Sequence, residues 1–190
     1  MPPLLPLESE RLTLRHFRDH DVPVFFAYRN DPEVARWQSW EGITREAAEE
    51  FARAFSTGGP APAGEWFQIA VALRSTGALV GDCALKLLAN EPATAEIGFT
   101  IAREHQGKGY GFEAVSRLVG HLFEGLGLVR VVAETDAENS RSWHLLERLG
   151  MRREGSATAW FKGRLTEEYR YSLVRESWGP SPHNLKSCLE

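Results

Sequence analysis

Cysteine is scarce in this 190-residue chain, which has only Cys83 and Cys188, far apart in sequence. Two such residues build neither a disulfide framework nor a thiolate metal cluster, and they support the expectation of a reduced, cytoplasmic setting. Long apolar runs are missing too. None approaches the ~20 residues of a membrane span, and the opening MPPLLPLESE is proline-broken and acidic, unlike a secretory leader. Positive charge is not in excess: 22 Lys and Arg stand against 26 Asp and Glu, a formal net charge of −4. No general basic field therefore draws the chain to nucleic acid. The six histidines show no ligand spacing, since His16 and His20 bracket a loop-to-helix entry, so no metal is expected. No internal repeat is present. With 43% hydrophobic and 25% charged residues, what remains is an ordinary globular chain with neither nucleic acid nor membrane as partner.

The chain reads as strand and helix segments in turn. Arg11–Phe17 alternates as a strand, and Asp19 is placed to cap a helix that Asp31-Pro32 ends. Thr44 caps a second helix with Ala48, Phe51, Ala52 and Phe55 at helical spacing. Ser56–Gly64 is a loop. Trp66–Leu73, Ala78–Leu88 and Thr94–Ile101 follow as a meander of strands. Val115, Leu118, Val119, Leu122, Phe123 and Leu126 then mark an amphipathic helix, closed by Gly125 and Gly127. Leu128–Thr135 is a strand, Asn139 caps a helix ending near Gly150, and two strands turn around Lys162–Arg164. The expected fold is mixed α/β (α+β), a mostly antiparallel twisted sheet with helices on both faces. One domain is expected over 1–178, with a tail at 179–190.

The most informative stretch is FTIAREHQGKGYGFEA, Phe99–Ala114. Gly107, Gly109 and Gly111 alternate with Lys108 and Tyr110 between a strand and a helix. Amides at a helix start lack backbone acceptors and favour anions, and glycine lets a bulky phosphate reach the backbone. The stretch therefore reads as a pyrophosphate cradle. A tight strand-to-helix turn is the plainer use of the same glycines. A nucleotide P-loop is excluded, because Ala102 stands where its first glycine belongs. The dinucleotide pattern Gly109-x-Gly111-x-x-Ala114, with Glu134 20 residues on, remains a rival. Its glycines should follow the strand at once, and here seven residues separate Ile101 from Gly109.

Gln106-x-x-Gly109-x-Gly111 resembles the Gln/Arg-x-x-Gly-x-Gly/Ala motif of the GNAT acyltransferase superfamily. Asn139-x-x-Ser142, then Leu145, Leu149 and Gly150-Met151, is similar to that family's second motif. LESERLTLRHFRDHD, RREG and YSLVRESW resemble the ribosomal-protein N-terminal acetyltransferase (RimJ/RimL-like) branch, so the likeness spans roughly 8–178.

The resemblance implies acetyl-CoA as co-substrate and direct transfer to an amine, either a protein N-terminus or a small molecule. It implies a pyrophosphate site at Gln106, Gly107, Lys108, Gly109, Tyr110, Gly111 and Phe112. The pantetheine arm would lie along Phe99, Thr100 and Ile101, where the strand splays from its neighbour, with Asn139 on the arm's far side. An N–H of the splayed strand would polarise the thioester carbonyl. Much of the superfamily protonates the leaving thiolate with a tyrosine seven residues after the asparagine. Leu146 stands there, and Ser142 is the nearest substitute. Ser142 can equally be a small residue that lets the cofactor pass, and Asn139 a plain N-cap.

Glu96 is the candidate base, with a structural ion pair as its ordinary use. Trp37 and Trp40 are candidates for the acceptor pocket or for the core. Cys83 reads as a buried strand thiol. A homodimer is left open. The alternative function is a non-catalytic acyl-CoA-binding or sensor module, suggested by the missing tyrosine.

Overall fold

A computed structural model describes residues 4–60 and 62–179; Cys188 and the expected tail from residue 180 on lie outside the described residues. Eight strands form one sheet in the order β1-β2-β3-β4-β5-β6-β8-β7. They are β1 (Leu7–Glu8), β2 (Leu12–Arg15), β3 (Trp66–Leu73), β4 (Leu79–Leu87), β5 (Thr94–Ile101), β6 (Arg130–Asp136), β7 (Arg152–Phe161) and β8 (Arg164–Val174). The helices are α1 (Val22–Arg29), α2 (Pro32–Ala35), α3 (Arg45–Ala54), α4 (Tyr110–Glu124) and α5 (Ser140–Arg148).

Strand alternation sends side chains to two faces. Ile69, Cys83 and Ile97 join Leu118, Leu122 and Leu146 in one core under α4 and α5. Ala70 and Leu79 join Phe17, Phe25, Ala48 and Ala52 in a second core under α1 and α3. The expected helices on both faces are present. On the second face, the buried Tyr28 hydroxyl donates to Asp82 Oδ2, with Arg29 Nη2 3.8 Å from the same oxygen. Burial pushes the Asp82 carboxyl up, and the Arg29 charge only partly opposes it. Cys83 is buried as read from sequence, and burial raises its thiol.

One sheet pair is unlike the rest. β5 and β6 run parallel and pair only from Thr94↔Arg130 to Glu96↔Val132. Beyond that, β5 follows β4 as far as Ile101↔Gly81, while β6 follows β8 as far as Asp136↔Glu168. The two strands splay. From Ile97 to Ile101, β5 therefore presents an edge without a strand partner in the middle of the sheet.

Several elements differ from the sequence reading for local physical reasons. Asp19 caps nothing by side chain; it opens a short 3-10 turn, Asp19–Asp21, and α1 starts at Val22. Asp21 is instead buried against Arg15, at 2.6 Å. Asp31-Pro32 ends α1 and also starts α2, because Asp31 accepts from Glu33 N at 2.9 Å and Pro32 fits the first helical position. Thr44 and Asn139 do cap, accepting from Ala47 N (3.2 Å) and Ser142 N (3.3 Å). The glycine-loop helix begins at Tyr110, a turn before the apolar stripe that starts at Val115. Among the described residues no helix is long and apolar enough to cross a membrane.

Candidate active site

A cleft of about 1150 Å³ runs through the splay. On one side of the sheet it is walled by Gly109–Phe112 and by Asn139–Ser142, Leu145 and Arg148. On the other side stand Arg36, Trp37 and Gln38, just past α2. Ile97–Ile101 and Ala133–Thr135 form the two lips between them. The space is thus continuous from the start of α4, past the unpaired edge of β5, to the α2 segment.

The glycine loop has the geometry of an anion cradle. Gly107 (φ +74°) and Gly109 (φ +81°) are left-handed, whereas Gly111 is helical. Gly109 occupies the N-cap position and so offers no capping side chain. The N–H groups of Tyr110, Gly111 and Phe112 have no backbone acceptor; Glu113 N is the first to bond, to Gly109 O at 3.1 Å. A Cβ on Gly107 would meet nothing within 4 Å, so the loop is open there. A Cβ on Gly111 would come within 3.1 Å of Leu145 Cδ1, so this glycine lets α4 approach α5 closely.

Gln106 fixes the loop rather than standing free. Its Nε2 donates to Ile101 O (2.9 Å), and its Oε1 accepts from Arg141 Nη1 (2.9 Å). It thereby ties the end of β5 to α5 across the cleft mouth. Lys108 is exposed and does not line the cleft; its carbonyl accepts from Arg11 Nη1 at 3.0 Å. Arg11 also stacks 4.8 Å from the Tyr110 ring centroid. Sequence reasoning missed Arg11, because no local spacing links residue 11 to the glycine loop. Arg141 and Arg148, the latter over the Phe112 ring at 4.1 Å, line this end of the cleft and give it a cationic rim suited to phosphates.

Phe99, Thr100 and Ile101 line the cleft on the unpaired edge, as expected. Asn139 and Ser142 line it from the first turn of α5. Leu146, at the position of the missing tyrosine, is fully buried in the core. Tyr110 is the tyrosine on the cleft wall among the described residues, and it stands at the glycine loop. Burial and the Glu147 carboxylate, which accepts its hydrogen bond at 3.0 Å, push Tyr171 up to about 12 inside the core.

The remaining candidates separate. Trp37 lines the cleft, with Arg36 stacked at 4.2 Å. Trp40 does not: its ring faces the Arg29 guanidinium at 4.3 Å and packs on the second core. Glu96 is also off the cleft wall. It sits where β5 is still paired to β6 and forms an ion pair with Lys86 at 2.5 Å. Lys86 in turn lies over the Trp66 ring at 4.5 Å, so the ordinary structural use describes Glu96. The carboxylates that do line the cleft are Glu33, Glu134 and Glu138. Each has an arginine: Arg36 at 3.7 Å, Arg170 at 3.1 Å and Arg164 at 3.4 Å respectively. Among the described residues no group of three His, Cys, Asp or Glu is placed to hold a metal ion.

Comparison with known proteins identifies the family and the fold. A family model described as an acetyltransferase (GNAT) domain matches residues 11–152. The uncharacterized N-acetyltransferase p20 of Bacillus licheniformis is 31% identical over 175 residues, 90% of this chain and 97% of its own. The ribosomal protein uS5-alanine N-acetyltransferase of Escherichia coli is 30% identical over 86 residues, 44% of each chain. The crystal structure of an acetyltransferase (GNAT family) from Bacillus anthracis superposes with a TM-score of 0.79 at 26% identity, covering 90% of this chain and 99% of that one. The family match takes in the glycine loop, both splayed strands and Asn139, and the chain belongs to the GNAT acetyltransferase family, enzymes that move an acetyl group from acetyl-CoA to an amine.

Proposed function

We propose that the preferred acceptor is an α-amine, such as a protein N-terminus, and that it attacks acetyl-CoA directly in a ternary complex. The observation that carries this reading is the state of the carboxylates: every one on the cleft wall is already paired to an arginine. Among the described residues, no unpaired carboxylate on the cleft wall offers itself as a strong base. An α-amine has a pKa near ~8 and is partly neutral at physiological pH, whereas a lysine-type amine near ~10.4 needs a proton removed. The alignment with a uS5-alanine N-acetyltransferase is consistent with this choice. A small-molecule amine of comparable basicity is the second candidate.

The residues present suit acetyl-CoA. The unpartnered amides of Tyr110, Gly111 and Phe112 would receive the pyrophosphate, and the open edge of β5 would pair with the amide-rich pantetheine arm as a further strand would. Acetyl-CoA supplies the activated thioester; the chain orients it and handles protons. A β5 N–H between Phe99 and Ile101 would donate to the carbonyl oxygen as negative charge grows there. Ser142 Oγ would donate to the departing sulfur. Glu134, on the opposite lip and paired to Arg170, would serve only as a weak acceptor for the amine proton, through water. Trp37 would wall the acceptor end.

The test is acetyl incorporation, followed by mass spectrometry, into two matched peptides. One has a free N-terminal alanine and no lysine; the other has a blocked N-terminus and one lysine. Preferential labelling of the first is expected, and labelling of the lysine peptide alone would overturn the choice of acceptor.

A further inference from the structure

The hairpin joining β7 to β8 is a two-residue turn, Lys162-Gly163, between the paired residues Phe161 and Arg164. Both turn residues have positive φ, +49° at Lys162 and +77° at Gly163. Such a turn favours Asn, Asp or Gly at its first position, and a long side chain there is out of place on backbone grounds. The Lys162 side chain accounts for its presence. Its ammonium donates to Ala35 O at 2.8 Å and to Trp40 O at 2.6 Å.

Those two carbonyls bracket the segment 36–39, and within it Arg36, Trp37 and Gln38 line the cleft. The bracket is held from its other side as well, because Arg29 stacks on the Trp40 ring. The segment's own hydrogen bonds are few: Arg36 N to Pro32 O (3.0 Å), Trp37 N to Val34 O (3.4 Å) and Gln38 N to Ala35 O (3.0 Å). α2 is only four residues long, so the helix cannot fix the wall by itself.

We infer that Lys162 is a positioning residue for the acceptor end of the cleft: from a distant hairpin, it clamps both ends of the wall that carries Trp37. The clamp acts on acceptor binding and leaves the acetyl-CoA end, at α4, untouched. Its kinetic consequence rests on the acceptor reading above; its structural consequence does not.

Two variants test it. Lys162→Asn suits the turn's backbone and removes the ammonium, and Lys162→Met removes the ammonium alone. Hydrogen exchange of the Arg36, Trp37 and Gln38 amides should quicken at least ~10-fold in both variants, as local opening becomes easier. Amides of Ala48–Ala52 in α3 should not change. Lys162→Asn should keep or raise the melting temperature, which separates loss of the clamp from general destabilisation. With acetyl-CoA and the N-terminal alanine peptide, KM for the peptide should rise about 5- to 10-fold while KM for acetyl-CoA stays within about twofold. Unchanged exchange at residues 36–38 overturns the clamp, whatever the kinetics show. Quickened exchange with both KM values unmoved overturns the acceptor role. Quickened exchange in a protein that never acetylates the peptide keeps the clamp and refutes the choice of acceptor.

Discussion

Arg11 and Glu113 are joined twice across the fold: Arg11 N donates to Glu113 Oε1 and Arg11 Nε to Glu113 Oε2, each at 2.7 Å. Ser9 Oγ adds a third bond to Oε1 at 2.8 Å. Glu113 lies in the first turn of α4, where a carboxylate also suits the helix dipole. The same guanidinium holds Lys108 O, so the pair braces the cradle from outside. Burial pushes the Glu113 carboxyl up, but the Arg11 N–H, the Ser9 hydroxyl and the Arg11 guanidinium outweigh it and hold it below its ordinary value.

A pH-dependent stability follows. A carboxyl depressed in the folded state contributes stability above its unfolded value, near ~4.3, and loses it as pH falls through the lower folded value. Glu113→Gln keeps an acceptor for Ser9 and Arg11 N but sets an amide N–H₂ against Arg11 Nε, at a cost of about 1–2 kcal/mol near pH 7. Melting temperatures from pH 7 to pH 3 should show a constant gap between wild type and variant above about pH 5, closing below about pH 4. A gap that ignores pH would remove this carboxylate from the account.

The two tryptophans of WQSW should behave differently. Trp37→Ala should raise KM for the acceptor several-fold with little loss of stability, since Trp37 lines the cleft. Trp40→Ala removes the face on which Arg29 stacks and part of the second core. It should cost about 2 kcal/mol of stability by thermal or denaturant melts. Equal effects on both readouts would contradict the separation.

Ser142→Ala tests protonation of the departing sulfur. A fall in kcat of about 10- to 100-fold, with KM values within about twofold, is expected if the hydroxyl donates. A wild-type kcat would make Ser142 only a small residue at the first turn of α5, leaving solvent to neutralise the thiolate.

Glu96 and Glu134 can be told apart by pH–rate profiles. Glu96→Gln should leave the profile of kcat/KM in place, because the side chain is paired to Lys86 off the cleft. Glu134→Gln should lower kcat/KM about 10-fold or less, most at low pH where the amine is most protonated. A larger loss in Glu96→Gln than in Glu134→Gln would reverse the assignment.

The parts legible in the sequence were those encoded by short spacings. Thr44 and Asn139 each reach an amide three residues on, so their caps could be read locally. The alternating glycines are legible as an open loop before α4, left-handed at Gly107 and Gly109, whereas Gly111 is a packing position. The start of α4 was read late because its first turn, Tyr110–Phe112, faces the cleft and carries no apolar stripe. α2 escaped because Asp-Pro is as good a helix start as a helix stop. The choice between the two uses of Glu96, base or ion-pair partner, is not legible locally: alternation fixes a strand residue's face but not how far along the strand its pairing ends. Arg11 and Lys162 act over separations of about 100 residues or more, through contacts that no periodicity announces.

The central claim is that acetyl-CoA lies in the splay, anchored at the glycine loop, and gives its acetyl group to an amine. Thiol release from acetyl-CoA by wild type and by Gly109→Val, with and without the N-terminal alanine peptide, tests it most directly. At φ +81° a β-branched residue is strained, and its side chain would crowd Arg11 Nη2, 3.3 Å from the Cβ position. A melt of the variant separates lost folding from a lost site. The account predicts peptide-dependent thiol release matched mole for mole by acetyl-peptide in wild type. In a folded Gly109→Val protein, both release and calorimetric CoA binding should be lost. Tight CoA binding by wild type with no amine-dependent thiol release, across peptides and small amines alike, would contradict it, as would undiminished CoA affinity in the folded variant.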